Sequence, residues 1–364
     1  MNAALYLPRE RLQSLLDSLQ EANYRCVGPQ LRDGAIVYDT LQRVDQLPIG
    51  AHDIQSPGSY RIERDANQRC FAWANGPQAL KPLLFAPREV LWRAQRDAQG
   101  HLQFVTESSH AEPLAVIGVR ACDLAALRLL DQHFLRLDQA DPRYAARRAT
   151  LFLIAVNCSH PAATCFCVST GDGPVVDSGH DIVLTELDTG FVAEAGSEAG
   201  QAALDALGLA FADARQLADA EQQGMDAARQ QTRRLPGRDL NNALFANLQH
   251  PRWQQVAERC LSCGNCTAVC PTCFCHRSFE QPQLDAQASV HGREWDACFT
   301  EGHSYITGHT VRPDTRLRYR QWLTHKLGSW HEQYGRSGCV GCGRCITWCP
   351  VGIDITEEAT AICT

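Results

Sequence analysis

The first hundred residues alternate short apolar stretches with polar turns. Leu12, Leu15, Leu16 and Leu19 recur at helical spacing after Pro8, which suits a first helical turn, and they predict an amphipathic helix. Strand-like stretches follow at 35–41, 60–63, 70–74 and 102–106. Gly, Pro, Asp and Asn separate these stretches, which is typical of a β-meander. This region shows no recognisable chemistry.

From residue 114 the apolar stretches become continuous. Leu114–Val119 and Leu151–Val156 are uniformly apolar, which predicts two buried strands, and the apolar residues from Leu124 to Phe134 recur at helical spacing between them. Cys122 follows the first strand and Cys158 follows the second. Open α/β sheets bind ligands at the carboxyl ends of their strands. Both cysteines therefore lie at one rim of the sheet if the two strands are neighbours.

The remaining pattern predicts two domains. A hairpin is expected at 181–187 and 191–194, and helices are expected at 198–207, 212–233 and 241–258. Leu235-Pro236-Gly237 interrupts the helical pattern, so we place a domain boundary at residue 236. The predicted fold class is α+β or α/β, with an N-terminal mixed α/β domain at 1–236 followed by a mostly helical domain at 237–364.

The same cysteine pattern, CxxCxxCxxxCP, occurs twice in the second domain. Its two-residue gaps let three thiolates surround three corners of an iron–sulfur cubane, while the fourth cysteine reaches a neighbouring cluster. We therefore predict a ferredoxin-like domain with two [4Fe-4S] clusters, whose iron is bound by the cysteines alone. The predicted ligands are Cys260, Cys263, Cys266 and Cys349 for cluster 1, and Cys339, Cys342, Cys345 and Cys270 for cluster 2. Structural zinc is the alternative, but three evenly spaced cysteines with a Cys-Pro end, found twice, favour iron–sulfur clusters.

Further cysteines lie outside the repeated motif. We predict a third [4Fe-4S] cluster, cluster 3, at the rim of the N-terminal domain, and the alternative is a set of unconnected core and loop cysteines. Its predicted ligands are Cys122, Cys158, Cys165 and Cys167. Asp123 is interpreted as a helix cap. Cys273 and Cys275 repeat the Thr-Cys-Phe-Cys string of 164–167 and are interpreted as non-ligand thiols near a cluster, with hydrogen bonding or ligand exchange as the alternative.

Composition narrows the class of protein. The 364 residues are 45% hydrophobic, enough to bury a core, yet no apolar run is long enough to span a membrane and no signal-like segment begins the chain. Eighteen cysteines in such a chain favour metal ligation in a reducing compartment, so a cytoplasmic protein is expected. The net charge of −7 argues against general nucleic-acid binding.

Motifs for bond chemistry are missing from the sequence. It contains no GxGxxG after a strand, no GxSxG, no HExxH and no paired CxxC motifs of a nickel–iron centre. We therefore predict no catalytic residues. The aromatic residues between the two cysteine motifs, Tyr319, Trp322, Trp330 and Tyr334, are expected in the core. The basic residues Arg312, Arg316, Arg318, Arg320 and Lys326 either form a solvated face or offset the charge of anionic clusters.

Several strings resemble one known family. They are GVRACDLAAL at 118–127, TCFC at 164–167, GDGP at 171–174, CLSCGNCTAVCPTCFC at 260–275, QWLTHK at 321–326 and GCVGCGRCITWCPVGIDI at 338–355. They resemble the iron–sulfur β subunit of soluble NAD(P)-linked nickel–iron hydrogenases, also called sulfhydrogenases, and a component of anaerobic sulfite reductase that belongs to the same wider family. The resemblance covers roughly residue 80 to the end.

The resemblance implies a non-catalytic subunit of a heteromultimeric oxidoreductase. In the family, [4Fe-4S] clusters pass electrons between a flavoprotein NAD(P)-binding subunit and the small and large subunits of a nickel–iron hydrogenase. The family's cluster cysteines fall on the twelve positions named above. Delivery of electrons to a sulfite reductase or another terminal reductase is the second hypothesis. A zinc-stapled scaffold without redox function is the third, and it predicts a colourless protein.

Overall fold

The computed structural model describes residues 4–78, 80–107, 111–136, 138–284 and 287–364, which form a mixed α/β fold. The strands are β1 (Leu5–Pro8), β2 (Arg25–Arg32), β3 (Ala35–Thr40), β4 (Ala51–Ser56), β5 (Ser59–Arg64), β6 (Arg88–Arg96), β7 (Leu102–Thr106), β8 (Leu114–Val119), β9 (Leu151–Val156), β10 (Ile182–Glu186), β11 (Gly190–Ala195), β12 (Ala210–Phe211), β13 (His276–Pro282), β14 (Ala288–Trp295), β15 (Tyr305–Ile306) and β16 (His309–Thr310). The helices are α1 (Leu12–Glu21), α2 (Lys81–Leu84), α3 (Ala121–Phe134), α4 (Pro142–Ala149), α5 (Cys167–Thr170), α6 (Glu198–Asp205), α7 (Ala214–Arg229), α8 (Leu240–Ala246), α9 (Arg252–Arg259), α10 (Asn265–Ala268), α11 (Thr315–Thr324), α12 (Trp330–Tyr334), α13 (Arg344–Thr347) and α14 (Ile355–Cys363). A π-helical segment, His325–Ser329, joins α11 to α12.

Eight strands form the main sheet, in the order β12-β1-β11-β10-β9-β8-β2-β3. The four strands β10, β9, β8 and β2 run parallel, and the outer strands pair antiparallel. Every side chain of β8 is buried, as expected for a strand covered on both faces. β8 and β9 are neighbours, with Leu114 opposite Leu151. The two predicted buried strands are confirmed, and their carboxyl ends meet at one rim.

Helices cover both faces of the main sheet. Successive side chains of a strand point to opposite faces, so Ala115 and Ile117 pack with the leucines of α1, whereas Leu114 and Val116 pack with α3. Each leucine that α1 buries contributes about 1.5–3 kcal/mol relative to an exposed position. The central strands are therefore anchored between two apolar layers, and the loops at their carboxyl ends are held in place.

A second sheet combines strands from distant parts of the chain, in the order β13-β14-β6-β7. β14 pairs antiparallel with β6, and Arg293 of β14 lies 2.5 Å from the carboxylate of Glu89 in β6. The prediction of a mostly helical C-terminal region is not confirmed, because the β13–β14 hairpin lies within it. The sheet takes strands from both sides of residue 236, and the domain boundary there stays a prediction.

One predicted strand, at 70–74, is wrong. The backbone N–H groups of Cys70 and Phe71 each donate to the carboxylate of Glu186 at 2.7 Å. The buried carboxylate of Glu186 thus accepts the two hydrogen bonds that carbonyl groups of a neighbouring strand would otherwise accept.

The predicted helix at 241–258 is two helices. α8 ends at Ala246, and Pro251 immediately precedes α9. Proline has no N–H to donate and suits the start of a helix, so one continuous helix through this position is disfavoured and a new helix begins after it. Among the described residues, no helix has both the length and the apolar character that a membrane span requires.

Candidate metal centres

The first cysteine motif surrounds a space of about 430 Å³, the cluster 1 site. α9 leads directly into Cys260, and Gly264 turns the loop at a φ of 72°, a left-handed conformation that favours glycine. The predicted ligands Cys260, Cys263, Cys266 and Cys349 all line this space. Cys349 comes from the second motif, so the structure brings the two motifs together.

The second cysteine motif borders a space of about 350 Å³, the cluster 2 site. The predicted ligands Cys270, Cys339, Cys342 and Cys345 line it. Each motif therefore contributes its fourth cysteine to the other motif's site, which is the exchange that the spacing predicts. Cys345 also lines the cluster 1 site, so the two sites adjoin.

The four cysteines predicted for cluster 3 lie at the carboxyl ends of β8 and β9. Cys122 is in the first turn of α3, Cys158 follows β9, and Cys165 and Cys167 precede and begin α5. None of the four side chains is more than 9% exposed. Burial, and then the charges of Cys167 and Cys158, raise the pKa of Cys165 well above its ordinary value, as expected when three sulfur atoms lie close together.

Two amides donate hydrogen bonds to the sulfurs of the cluster 3 site. Gln231 Nε2 lies 3.2 Å from Cys167 Sγ, and Asn75 Nδ2 lies 3.8 Å from Cys165 Sγ. Hydrogen bonds to ligand sulfur orient the ligand and tune the metal. Sequence reasoning missed both amides because each is far from the cysteines along the chain.

The loop of the second motif packs directly on the 164–167 loop of the cluster 3 site. The N–H of Phe166 donates to the carbonyl of Gly341 at 2.8 Å. A Cβ atom at Gly341 would lie 2.5 Å from the backbone nitrogen of Cys167, so only glycine permits this approach. The cluster 2 and cluster 3 sites therefore share a backbone contact.

An ion pair with both side chains about 1% exposed joins the same two sites. Arg344, between two cysteines of the second motif, donates to both carboxylate oxygens of Asp123 at 2.7 and 3.2 Å. Asp123 was predicted to cap α3, but its carboxylate makes no capping bond and pairs with this guanidinium instead. A bidentate pair fixes geometry as well as charge.

Comparisons with known proteins support iron–sulfur chemistry for this chain. Residues 259–353 match the model of the 4Fe-4S dicluster domain family. The chain is 30% identical over 282 residues to "Sulfhydrogenase 2 subunit beta" of Pyrococcus furiosus, an alignment that covers 75% of this chain and 79% of the relative. The chain belongs to the sulfhydrogenase β-subunit family. No solved structure matches it.

Membership of the sulfhydrogenase β-subunit family confirms the resemblance found in the sequence. The chain is an iron–sulfur electron-transfer subunit related to a hydrogenase β subunit, and it binds [4Fe-4S] clusters. The number of clusters and the ligands of each remain predictions.

The two lysines of the chain test whether the cluster 2 site suits an anionic group, since Lys326 lines this site and Lys81 lies close enough to Cys270 to interact with its charge. Lys81 and Lys326 are 3% and 4% exposed, and neither has a carboxylate partner among the described residues. Lys81 donates to backbone carbonyls of α10, and Lys326 donates to Thr272 Oγ1 at 2.8 Å. Burying an ammonium group is costly unless an anion is near. A thiolate-bound cluster supplies that anion, so the site fits the group.

Two aromatic side chains test the cluster 1 site in the same way. Tyr319 Oη and Trp322 Nε1 are buried and find no partner among the described residues, although both side chains line the site. Unpaired buried donors are rare, and the sulfur of a bound cluster can accept hydrogen bonds. Both orphaned donors therefore fit a cluster at this position.

The aromatic residues between the motifs behave largely as predicted. Tyr319, Trp322 and Trp330 are buried, and Tyr334 is half-buried, so a core position is confirmed for the first three. Among the basic residues, Lys326 is the one that lines the cluster 2 site, whereas the guanidinium groups of Arg318 and Arg320 donate to backbone carbonyls. Of these five basic residues, charge compensation is therefore assigned to Lys326.

Sequence reasoning missed Cys298 and His303. Cys298 lines a further space of about 340 Å³ together with Cys273 and Cys275, the two surplus thiols. The hydrogen bond from Cys298 outweighs burial and lowers the pKa of Cys275. A lone cysteine and a lone histidine carry no spacing signal, because the β13–β14 hairpin separates them from the motif along the chain.

Proposed function

We propose that this chain carries electrons between an NAD(P)-linked flavoprotein subunit and the small and large subunits of a nickel–iron hydrogenase. The observation that supports it best is the contact between three cysteine-lined sites, in the order cluster 1, cluster 2, cluster 3. Bound [4Fe-4S] clusters would supply one-electron redox chemistry at each site. The relative's name, a sulfhydrogenase β subunit, supports the choice of partners.

The proposed ligand sets of clusters 1 and 2 follow the lining of their sites, and the set of cluster 3 follows from the four buried cysteines at the rim of the main sheet. They are Cys260, Cys263, Cys266 and Cys349 for cluster 1, Cys270, Cys339, Cys342 and Cys345 for cluster 2, and Cys122, Cys158, Cys165 and Cys167 for cluster 3. Electron transfer makes and breaks no covalent bond, so the proposal assigns no catalytic role to the other residues of the chain. Buried lysines offset the negative charge of the ligands, and buried aromatic rings exclude water.

The two ends of this series differ in exposure. Cys263 is exposed and its neighbour Leu261 is 64% exposed, so the cluster 1 site reaches the surface. The four cysteines of the cluster 3 site are buried at the rim of the main sheet. We infer that one electron-transfer partner docks over the cluster 1 site. Electrons pass between two proteins only over a short distance, so the cluster that exchanges them with a partner must lie near the surface.

Iron and sulfide analysis with EPR of anaerobically purified protein tests the cluster count. We expect about twelve irons per chain, since each cubane holds four. Cys165→Ala is expected to lose one EPR signal and about four irons. Cys26→Ala, which changes a buried thiol in the core beside α1, is the matched control and should lose none. An unchanged spectrum in Cys165→Ala would contradict the cluster 3 assignment.

Purification from the native source tests the partners. The proposal expects a complex that contains a flavoprotein and two nickel–iron hydrogenase subunits. Recovery with a sirohaem sulfite reductase would contradict the hydrogenase role while leaving the clusters in place. A lone monomer active with hydrogen would contradict the electron-carrier role itself.

A further inference from the structure

A site separate from the twelve predicted cluster ligands lies at the base of the β13–β14 hairpin. The hairpin begins directly after Cys275, and the N–H of Asp296 donates to the carbonyl of Cys275 at 2.9 Å. Antiparallel pairing of His276 with Trp295 thus returns the chain to its starting point. Cys298 and His303 follow within a few residues, so they lie beside Cys275.

The candidate ligand atoms of this site are as close together as atoms that bind one metal ion. Those of Cys275, Cys298 and His303 all lie within 4.8 Å of one another. Of the cysteine, histidine and carboxylate groups in the part of the chain that the structure describes, this is the only trio so placed. Bonds of about 2.0–2.3 Å to one tetrahedral ion place its ligands roughly 3.3–3.8 Å apart. The ligands of a cubane bind four different irons and must lie further apart.

The histidine is oriented for metal binding. His303 Nδ1 lies 3.1 Å from Asp296 Oδ2, which leaves Nε2 available. A carboxylate that holds one ring nitrogen while the other binds the ion is the usual arrangement around a metal-ligating histidine. The carboxylate of Asp296 is itself 7% exposed, so the pair is a fixed part of the interior.

We propose that Cys275, Cys298 and His303 bind one zinc ion. Two cysteines and one histidine are a known zinc ligand set, in which a water molecule takes the fourth position. Cys273 lines the adjoining space, but its sulfur is not one of the atoms that lie within 4.8 Å of one another. The ion would join the start and the end of the hairpin to the cluster domain. It would leave the proposed electron path unchanged, because zinc has no redox chemistry.

A fourth cubane is the rival occupant. The space here, about 340 Å³, is close in size to the 350 Å³ of the cluster 2 site. The short spacing of the three ligand atoms and the carboxylate-bound histidine favour the single ion. Element-specific measurements distinguish the two occupants without reference to activity.

The test begins on the unmodified full chain, purified anaerobically and passed over a chelating resin. We expect about one zinc per chain beside the iron of the clusters. X-ray absorption at the zinc edge should show two sulfur neighbours at about 2.3 Å and two nitrogen or oxygen neighbours at about 2.0–2.1 Å. Zinc with four sulfur neighbours would place it in a cluster site and overturn the proposal, as would the absence of zinc.

Two variants then locate the ion. Cys298→Ser and His303→Ala are each expected to lose the zinc and keep all of the iron. Cys363→Ser, which changes a buried thiol on α14, is the control and should keep both metals. Loss of about four irons from Cys298→Ser would instead identify a fourth cubane. Zinc retained in both variants would also overturn the proposal. The iron content of the unmodified chain reports separately on the proposed function.

Discussion

Lys326 shows how a single residue adapts this family member to a charged cofactor. The π-helical segment between α11 and α12 turns its ammonium group inward, and such segments often occur at functional sites. Burial alone would lower the pKa of Lys326, but the negative charges of the thiolate groups of Cys270, Cys273 and Cys339 raise it above its ordinary value. The side chain therefore remains a cation inside the protein, where its charge is poorly screened.

Replacing Lys326 by methionine should lower the reduction potential of cluster 2. The reduced cluster is more negative, so losing a nearby cation disfavours reduction. A unit charge roughly 6 Å away at an effective dielectric constant of about 20 corresponds to a shift on the order of 100 mV. EPR-monitored redox titration measures it. Arg215→Met removes an exposed charge on α7 and should shift nothing. Equal potentials in Lys326→Met and the unmodified chain would contradict the assigned role.

Residue spacing supports a prediction of the cluster cysteines, but it did not reveal their environment. The repeated motif indicates which sulfurs can share a cubane, and the four cysteines predicted for each of clusters 1 and 2 line one site, so their assignment as ligands stays a prediction. Asp123 looked like a cap from its place in the first turn of α3, and its partner Arg344 lies 221 residues away. Cys298 and His303 gave no signal for the same reason. Local patterns carry no information about contacts made through the fold.

At the scale of elements, two loops and one hairpin determine how the sites meet. The strands β8 and β9 and the helix α3 followed from continuous apolar runs and helical spacing. The pairing of β6 with β14 could not be predicted, because the residue pattern of a strand does not identify the strand with which it pairs. The loop at 339–345 packs on the loop at 164–167 through glycines, and these glycines set how closely the two sites approach.

Gly343→Ala should prevent that packing. A Cβ atom at Gly343 would lie 2.4 Å from the carbonyl oxygen of Thr164, and the residue has a φ of 74°. Gly335 is a matched control because it has the same φ and open space around it. Both alanines carry about 1–2 kcal/mol of backbone strain, but only one carries the clash. We expect lower iron content and weakened EPR signals of clusters 2 and 3 in Gly343→Ala alone. Equal behaviour of the two variants would contradict the role of the packing.

At the scale of the whole molecule, the N-terminal and C-terminal parts interlock around the predicted centres. The β6–β14 pairing and the ion pair between Arg344 and Asp123 each join residues from opposite ends of the chain. Arg336 adds a third link, since it donates to both carboxylate oxygens of Asp172 beside the cluster 3 site. These contacts cross residue 236, where the predicted domain boundary stays a prediction.

Removing iron should destabilise this interlocked structure unevenly. Burial raises the pKa of Cys122, Cys266 and Cys345 well above ordinary values, so without metal these sites hold neutral thiols and unfilled space. Metal binding free energy is then lost from folding. We expect anaerobic chelation to lower the midpoint of thermal unfolding.

Hydrogen exchange should locate that loss. Protection should fall first in the loops at 260–275 and 339–349, while β8 and β9 keep theirs because their apolar layers remain intact. Uniform loss of protection across the chain would contradict this picture.

The exposure of Cys263 determines which predicted cluster is most easily oxidised. Oxygen and other small oxidants reach the cluster 1 site before they can reach sulfur buried at the rim of the main sheet. Damage in air therefore begins at the end that a partner would cover, and a chain that is assembled into its complex is shielded at its weakest point.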